Sequence, residues 1–286
     1  MSEARYYQPS GHVGLGGATI TIAAAIAAPI VLGFCYGIWM YYIYAALTFW
    51  VPLLYGVTTG IAVGAAARAA KVRGAGFVAL AGLGGGLLAV YFGWVAWLLA
   101  WSDFAYISTF SSFGMWTALG EAAAEGIWYF DEFELEGGAL YFWWTVEALL
   151  IIGFSAATAF AMVEESSNTF CEACGDWAKN VYTSPELNAL EDEEDFKARL
   201  EADPESALAD FRPVTPKVPG VTFQFAIQAC EKCWNFLVLD VRKIEHSEDK
   251  EGNQKRKQSD LVDNLLIDKP LFDRLARSLG QTTEEV

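Results

Sequence analysis

Residues 55–94 read YGVTTGIAVGAAARAAKVRGAGFVALAGLGGGLLAVYFGW, two apolar runs around a short connection that carries Arg68, Lys71 and Arg73. A helix needs about 20 apolar residues to cross the hydrocarbon core of a bilayer, and each run meets that length together with its outer flank. Outward from this stretch, no charged residue occurs between His12 and Ala67, or between Gly74 and Ser102. The first gap has room for two spans and the second for one. A fourth run, Gly138 to Val163, is interrupted only by Glu147. The chain of 286 residues is 54% hydrophobic, 15% aromatic and only 19% charged, which soluble domains of this length rarely combine. It is therefore expected to be an α-helical membrane protein with four transmembrane helices and a small α+β soluble domain. The spans are placed at about 17–40, 47–68, 76–101 and 138–163, with a loop at 102–137. The first run is too long for a cleaved signal peptide, whose apolar part covers roughly 7–15 residues behind a basic head, and it is read as a retained span.

Short connections rich in Lys and Arg stay in the cytoplasm, which places 68–73 there. The connection 102–137 carries Asp103, Glu121, Glu125, Asp131, Glu132, Glu134 and Glu136 without one Lys or Arg, and is expected outside. With an even number of spans, both termini lie on the cytoplasmic side of the inner membrane. The rings of Trp39, Tyr41, Tyr42, Tyr44, Trp50, Trp97, Trp101, Trp143 and Trp144 fall at the expected outer ends, where amphipathic rings favour the headgroup layer.

Gly56, Gly60 and Gly64 recur every four residues on span two, and Gly82 and Gly86 on span three. Close backbone approach is what draws helices together in lipid, so spans two and three are expected to pack on one another through these stripes. The competing use is a homo-oligomer interface. Pro29 is expected to kink span one. Glu147 is the one ionisable side chain deep in a span, a candidate ion or proton site; the blander reading is a protonated acid bonded to Thr, Tyr or Trp. The loop interleaves Phe104, Tyr106, Phe110, Phe113, Trp116, Trp128 and Phe130 with small and acidic residues, and a short helix is expected near Met115–Ala124. It reads as a lid on the bundle, or else as a docking surface.

Five cysteines are present. Cys35 stands alone in span one and reads as a small buried hydrophobe. Cys171 and Cys174 in CEACG pair with Cys230 and Cys233 in CEKCW as two C-x2-C knuckles. Thiols on the cytoplasmic side stay reduced, so the four are read as metal ligands. Four thiolates suit tetrahedral zinc; iron for electron transfer and a thiol redox pair are the alternatives. VTFQFAIQACEKCWNFLVLDVRK alternates in the manner of strand, knuckle, strand, and WAKNVYTS supplies an opposing strand. The arrangement over 166–245 resembles a zinc ribbon, with an acidic helical insertion between the knuckles. A metal supplies stability that a small core lacks. Residues 246–286 are read as the polar linker HSEDKEGNQKRKQ, with His246, followed by two short amphipathic helices divided by Pro270. Their apolar face holds Leu261, Leu265, Leu266, Leu271, Phe272, Leu275 and Leu279, and Asp268 is read as an N-cap.

From Glu164 onward there are 26 acidic and 15 basic residues, a balance that argues against nucleic acid and for a cationic protein surface as partner of the acidic insertion. YYQPSGHVGLGG at the N-terminus, WVPLLYG at 50–56, AAKVRG at 69–74 and VYFGWVAW at 90–97 resemble an uncharacterised family of bacterial multipass membrane proteins. The resemblance covers about the first hundred residues and implies a class and a bacterial origin, but no activity. With His12 and His246 as the only histidines, and no phosphate-binding or H-E-x-x-H motif, no catalytic constellation is found. The chain is read as a non-catalytic scaffold or accessory subunit that holds other membrane subunits, or copies of itself. A channel or transporter using Glu147, and electron transfer through an iron site, are the alternatives.

Overall fold

The computed structural model describes residues 6–42, 50–102, 112–125, 128–130, 133–135, 137–164, 169–188, 192–209, 211–215, 218–248 and 253–278. Part of the expected second span (47–49), Tyr44, the loop residues Phe104, Tyr106 and Phe110, and Leu279 lie outside them. The chain divides into a helical unit, Ser10–Glu165, and a sheet unit, Met1–Pro9 with Ser166–Val286.

The helical unit contains α1 (Leu15–Tyr42), α2 (Trp50–Ala69), α3 (Ala75–Trp101), α4 (Ser112–Glu125), the short strands β1 (Trp128–Phe130) and β2 (Phe133–Leu135), and α5 (Gly137–Glu164). α1, α2, α3 and α5 are each long and apolar enough to cross a membrane. α1 continues through Pro29 as one helix. Large apolar side chains such as Leu80, Phe142 and Leu149 point outward, while Gly, Ala, Ser and Thr occupy much of the interior. A helix that is apolar all round has no water-facing side.

The glycine stripes lead to a different neighbour from the one expected. A Cβ on Gly56 would stand 2.7 Å from Ile151 O, and one on Gly60 would stand 2.6 Å from Ser155 O. A Cβ on Gly64 would meet Met162, one on Gly82 Ala159, and one on Gly86 Ile152. Both stripes therefore pack on α5 rather than on each other. The cause lies in α5, where Ser155 and Ala159 stand four apart and complete the small-residue seam from the other side. Ser155 Oγ donates to Gly82 O at 2.8 Å, a polar bond across the same seam. α4 buries Met115, Ala118, Leu119, Ala122 and Ala123 in one core with α1, α3 and α5, as a lid does.

The sheet unit contains β3 (Phe170–Cys171), β4 (Asp176–Trp177), β5 (Lys179–Thr183), α6 (Glu193–Ala202), α7 (Pro204–Ala209), β6 (Gly220–Ala229), β7 (Leu237–Glu248), β8 (Gln254–Ile267) and α8 (Lys269–Ser278). β5-β6-β7-β8 form an antiparallel sheet in that order, and β3 pairs with β4 separately. Alternate residues of β6, Phe223, Phe225 and Ile227, face a core closed by Phe196 and Leu200 of α6 and by Leu271, Phe272 and Leu275 of α8. α6 starts where Asp192 accepts from the backbone N–H of Glu194 and Asp195, at 2.9 and 3.0 Å. Asp268 caps α8 through Leu271 N–H at 2.9 Å.

The expected linker and first tail helix are in fact strand. β7 runs through His246 to Glu248, and β8 pairs with it from Gln254 to Ile267. Residues 246–248 and 254–267 thus belong to the sheet, and among the described residues one helix follows rather than two. Pro270 sits in the first turn of α8, where its missing N–H costs nothing. Residues 6–9 also belong to this unit: Tyr6 bridges Leu265, and Tyr7 N–H donates to Asn264 O at 2.8 Å.

Candidate metal centre

The first knuckle is the turn between β3 and β4. Gly175 N–H donates to Cys171 O at 2.9 Å, and Gly175 has φ +60°, a backbone region that costs glycine nothing. The second knuckle joins β6 to β7. Cys230 N–H donates to Phe236 O at 3.0 Å, and Trp234 N–H donates to Cys230 O at 2.9 Å. Trp234 follows the second cysteine as Gly175 does and takes the same left-handed turn, with φ +52°. Its ring packs 6.0 Å from Phe272, so contact with the core offsets the backbone cost.

The two turns bring Cys171, Cys174, Cys230 and Cys233 together with all Sγ atoms within 4.8 Å of one another. Cys171 Sγ and Cys233 Sγ are 3.8 Å apart. Four sulfurs at ~2.3 Å from a zinc ion define tetrahedron edges of about 3.8 Å, so the donor set fits the ion in number, chemistry and spacing. Cys171 and Cys230 are buried, and Cys174 and Cys233 are half-buried. Backbone N–H of Asn235 draws the Cys233 thiol down to about 7, while the hydrogen bond with Cys233 pushes Cys174 up to about 12. Metal ligation replaces the thiol protons, so binding weakens as pH falls.

The cluster is tied from both sides. Lys232 of the second knuckle pairs with Asp176 beside the first at 2.7 Å, and Lys179 pairs with Glu231 at 2.6 Å. Beneath them runs a buried chain of hydrogen bonds. Thr169 O–H donates to Gln228 Oε1 (2.9 Å), Gln228 Nε2 donates to Asp240 Oδ2 (3.2 Å), and Asn264 N–H donates to Asp240 Oδ1 (2.8 Å). Tyr7 completes the support. Its hydroxyl accepts from Phe170 N–H at 3.1 Å, and its ring meets Phe236 edge-on at 5.4 Å. Each contact adjoins a residue that orients a cysteine, the kind of outer support that fixes metal ligands. Neither Tyr7 nor Asp240 was identifiable from spacing, because their roles depend on pairing across 160 or more residues for Tyr7, and on a bulge in β8 for Asp240.

Other candidates lie elsewhere. Glu147 is buried on α5, where Tyr36 O–H donates to its Oε1 at 2.7 Å and Trp94 Nε1–H at 3.4 Å. Cys35 is exposed on α1 rather than buried. His246 sits in β7, 2.7 Å from Glu186 Oε2, with Thr222 O–H donating to the same carboxylate at 2.6 Å. Comparison with protein-family models, with curated proteins and with solved structures finds no match, so the likeness of the first hundred residues rests on the quoted motifs alone.

Proposed function

We propose that this chain is a non-catalytic scaffold or accessory subunit of the bacterial inner membrane, anchored by four transmembrane helices and locked on its cytoplasmic side by a structural zinc ion. The observation that carries this reading is the closed set of four sulfurs, Cys171, Cys174, Cys230 and Cys233. Four thiolates fill the coordination sphere of zinc and leave no position for water or substrate. The ion would hold the two knuckles together, and in small zinc peptides such binding is worth about 10–16 kcal/mol.

Topology supports the reading in a second way. Residues from the N-terminal segment, Tyr6 and Tyr7 among them, and those after the fourth apolar helix join one folded unit, as an even number of crossings requires. The cations Arg68, Lys71 and Arg73 favour the cytoplasmic side for the α2–α3 connection, and hence for both termini. The partners are the lipid bilayer and other membrane subunits or further copies of the chain. The acidic segment around α6 fits a cationic protein surface better than nucleic acid. Extraction in mild detergent, with elemental analysis and mass spectrometry, tests this. One zinc per chain and co-purifying subunits or copies are expected. Particles containing single chains alone would overturn the scaffold reading, and coloured, iron-loaded protein would replace it with electron transfer.

A further inference from the structure

We infer that Glu147 and the aromatic rings around it form a binding site for an ammonium-type monovalent cation, independent of the metal centre. The carboxyl group is buried, with 8% of the residue exposed. Tyr36 and Trp94 both donate to Oε1, and an ionised carboxylate is an acceptor at both oxygens. Among the described residues nothing donates to Oε2. No Lys, Arg or His occurs in α1, α3, α4 or α5, so the bundle around Glu147 supplies no resident counter-charge. A carboxylate buried among apolar side chains without one is costly, and the structure provides a place for a mobile one.

That place is a cavity of about 10 Å³ beside Glu147, walled by Tyr36, Trp94, Trp97 and Trp144 and closed by Met40 and Leu119. Such a volume admits roughly one particle the size of a water molecule. Trp144 stands 6.3 Å from Trp94 and 6.1 Å from Trp97, so the rings form a continuous wall. Hard ions such as magnesium and calcium need about six or more oxygen ligands, and this wall has a single carboxylate and a tyrosine hydroxyl already directed at it. Ring faces attract ammonium cations, and ammonium, close to water in size, also donates hydrogen bonds to a carboxylate oxygen, as sodium and potassium ions do not. The site is a binding site and not a relay, because among the described residues Glu147 is the one acid that lines the cavity.

The full chain in detergent is titrated with ammonium chloride, against sodium and potassium chloride at constant ionic strength. Tryptophan fluorescence and the thermal unfolding midpoint are read together. Ammonium alone is expected to give a saturable fluorescence change and a raised midpoint, and Glu147→Gln to lose both while still folded. A wild-type protein without a saturable ammonium response overturns the inference, as does an equal response to sodium or potassium, or a response retained in Glu147→Gln. If the variant does not fold, the wild-type ion series decides alone.

Discussion

In the helical unit the buried contacts run through Gly56, Gly60, Gly82, Ser155 and Ala159, while in the sheet unit they run through Phe223, Phe225, Phe196 and four cysteines. Large apolar side chains such as Leu80, Phe142 and Leu149 point outward in the first unit, around a core that also holds Tyr36, Trp97 and Trp144, whereas most point inward in the second. Water makes the inward arrangement favourable, at about 25 cal/mol for each Å² of apolar surface removed. Lipid offers no such reward, so only close backbone approach and a few polar bonds remain to hold helices together. The apolar exterior of the helical unit is what the proposed bilayer would demand. It also means that the two units fail in different ways.

Metal removal gives the largest expected effect, and it is local. The sheet unit has its own core of some twenty buried side chains between sheet and helices, larger than a bare zinc knuckle possesses. The sulfur cluster sits outside that core and ties β3–β4 to the β6–β7 turn. Chelation of the metal-loaded protein should therefore raise amide exchange at 169–178 and 230–236 by about a thousandfold, roughly 4 kcal/mol, with β6 and β7 still protected. Global unfolding of the sheet unit would show that its core depends on the ion. An unchanged exchange pattern would show that the cysteines hold none.

Gly60→Leu should be next, and it acts on the other unit. Even its Cβ would stand 2.6 Å from the Ser155 carbonyl, a backbone atom that cannot swing aside, whereas nothing lies within 4 Å of a Cβ at Gly84. Overpacking of this kind costs about 3 kcal/mol or more. Gly60→Leu should lower the yield of folded protein in detergent and leave metal content unchanged, and Gly84→Leu should do neither. Equal behaviour of the two variants would remove the close-packed seam from the account.

These contrasts mark how far the chain could be read in advance. The apolar helices were legible because charge is missing for whole spans, and the knuckles because C-x2-C spacing is specific. The neighbour of each glycine stripe was not, since spacing defines a face and says nothing of what covers it. Ser155 and Ala159, four apart on α5, were the available signal. β8 misled for a definite reason. Its first half, Gln254–Asp260, is exposed and has no apolar alternation. Further on, a bulge opposite Asp240 separates the inward residues Val262 and Leu265 by three, and that interval imitates a helix. The strand exists because β7 offers it an edge, which is a tertiary cause.

The smallest expected effect separates the units by pH. Burial pushes the Glu186 carboxyl up, but hydrogen bonds from Thr222 and His246, with the charges of His246 and Arg256, outweigh it and hold the group below the ordinary 4.5. A carboxyl whose pKa is lower in the folded state contributes stability above its unfolded value, and that stability disappears as pH falls through the folded value. The sheet unit should thus lose on the order of 1 kcal/mol as pH falls from neutral to below 4.5, the typical worth of a hydrogen bond to one half-buried carboxylate. Denaturant unfolding of metal-loaded protein at several pH values reads this, provided metal content is followed at each, because acid also strips thiolate ligands. Glu186→Gln should flatten the part of the slope that survives at constant metal content. A slope that persists in full would assign the acid sensitivity to the sulfur cluster, and a matching loss in the helical unit would assign it to neither.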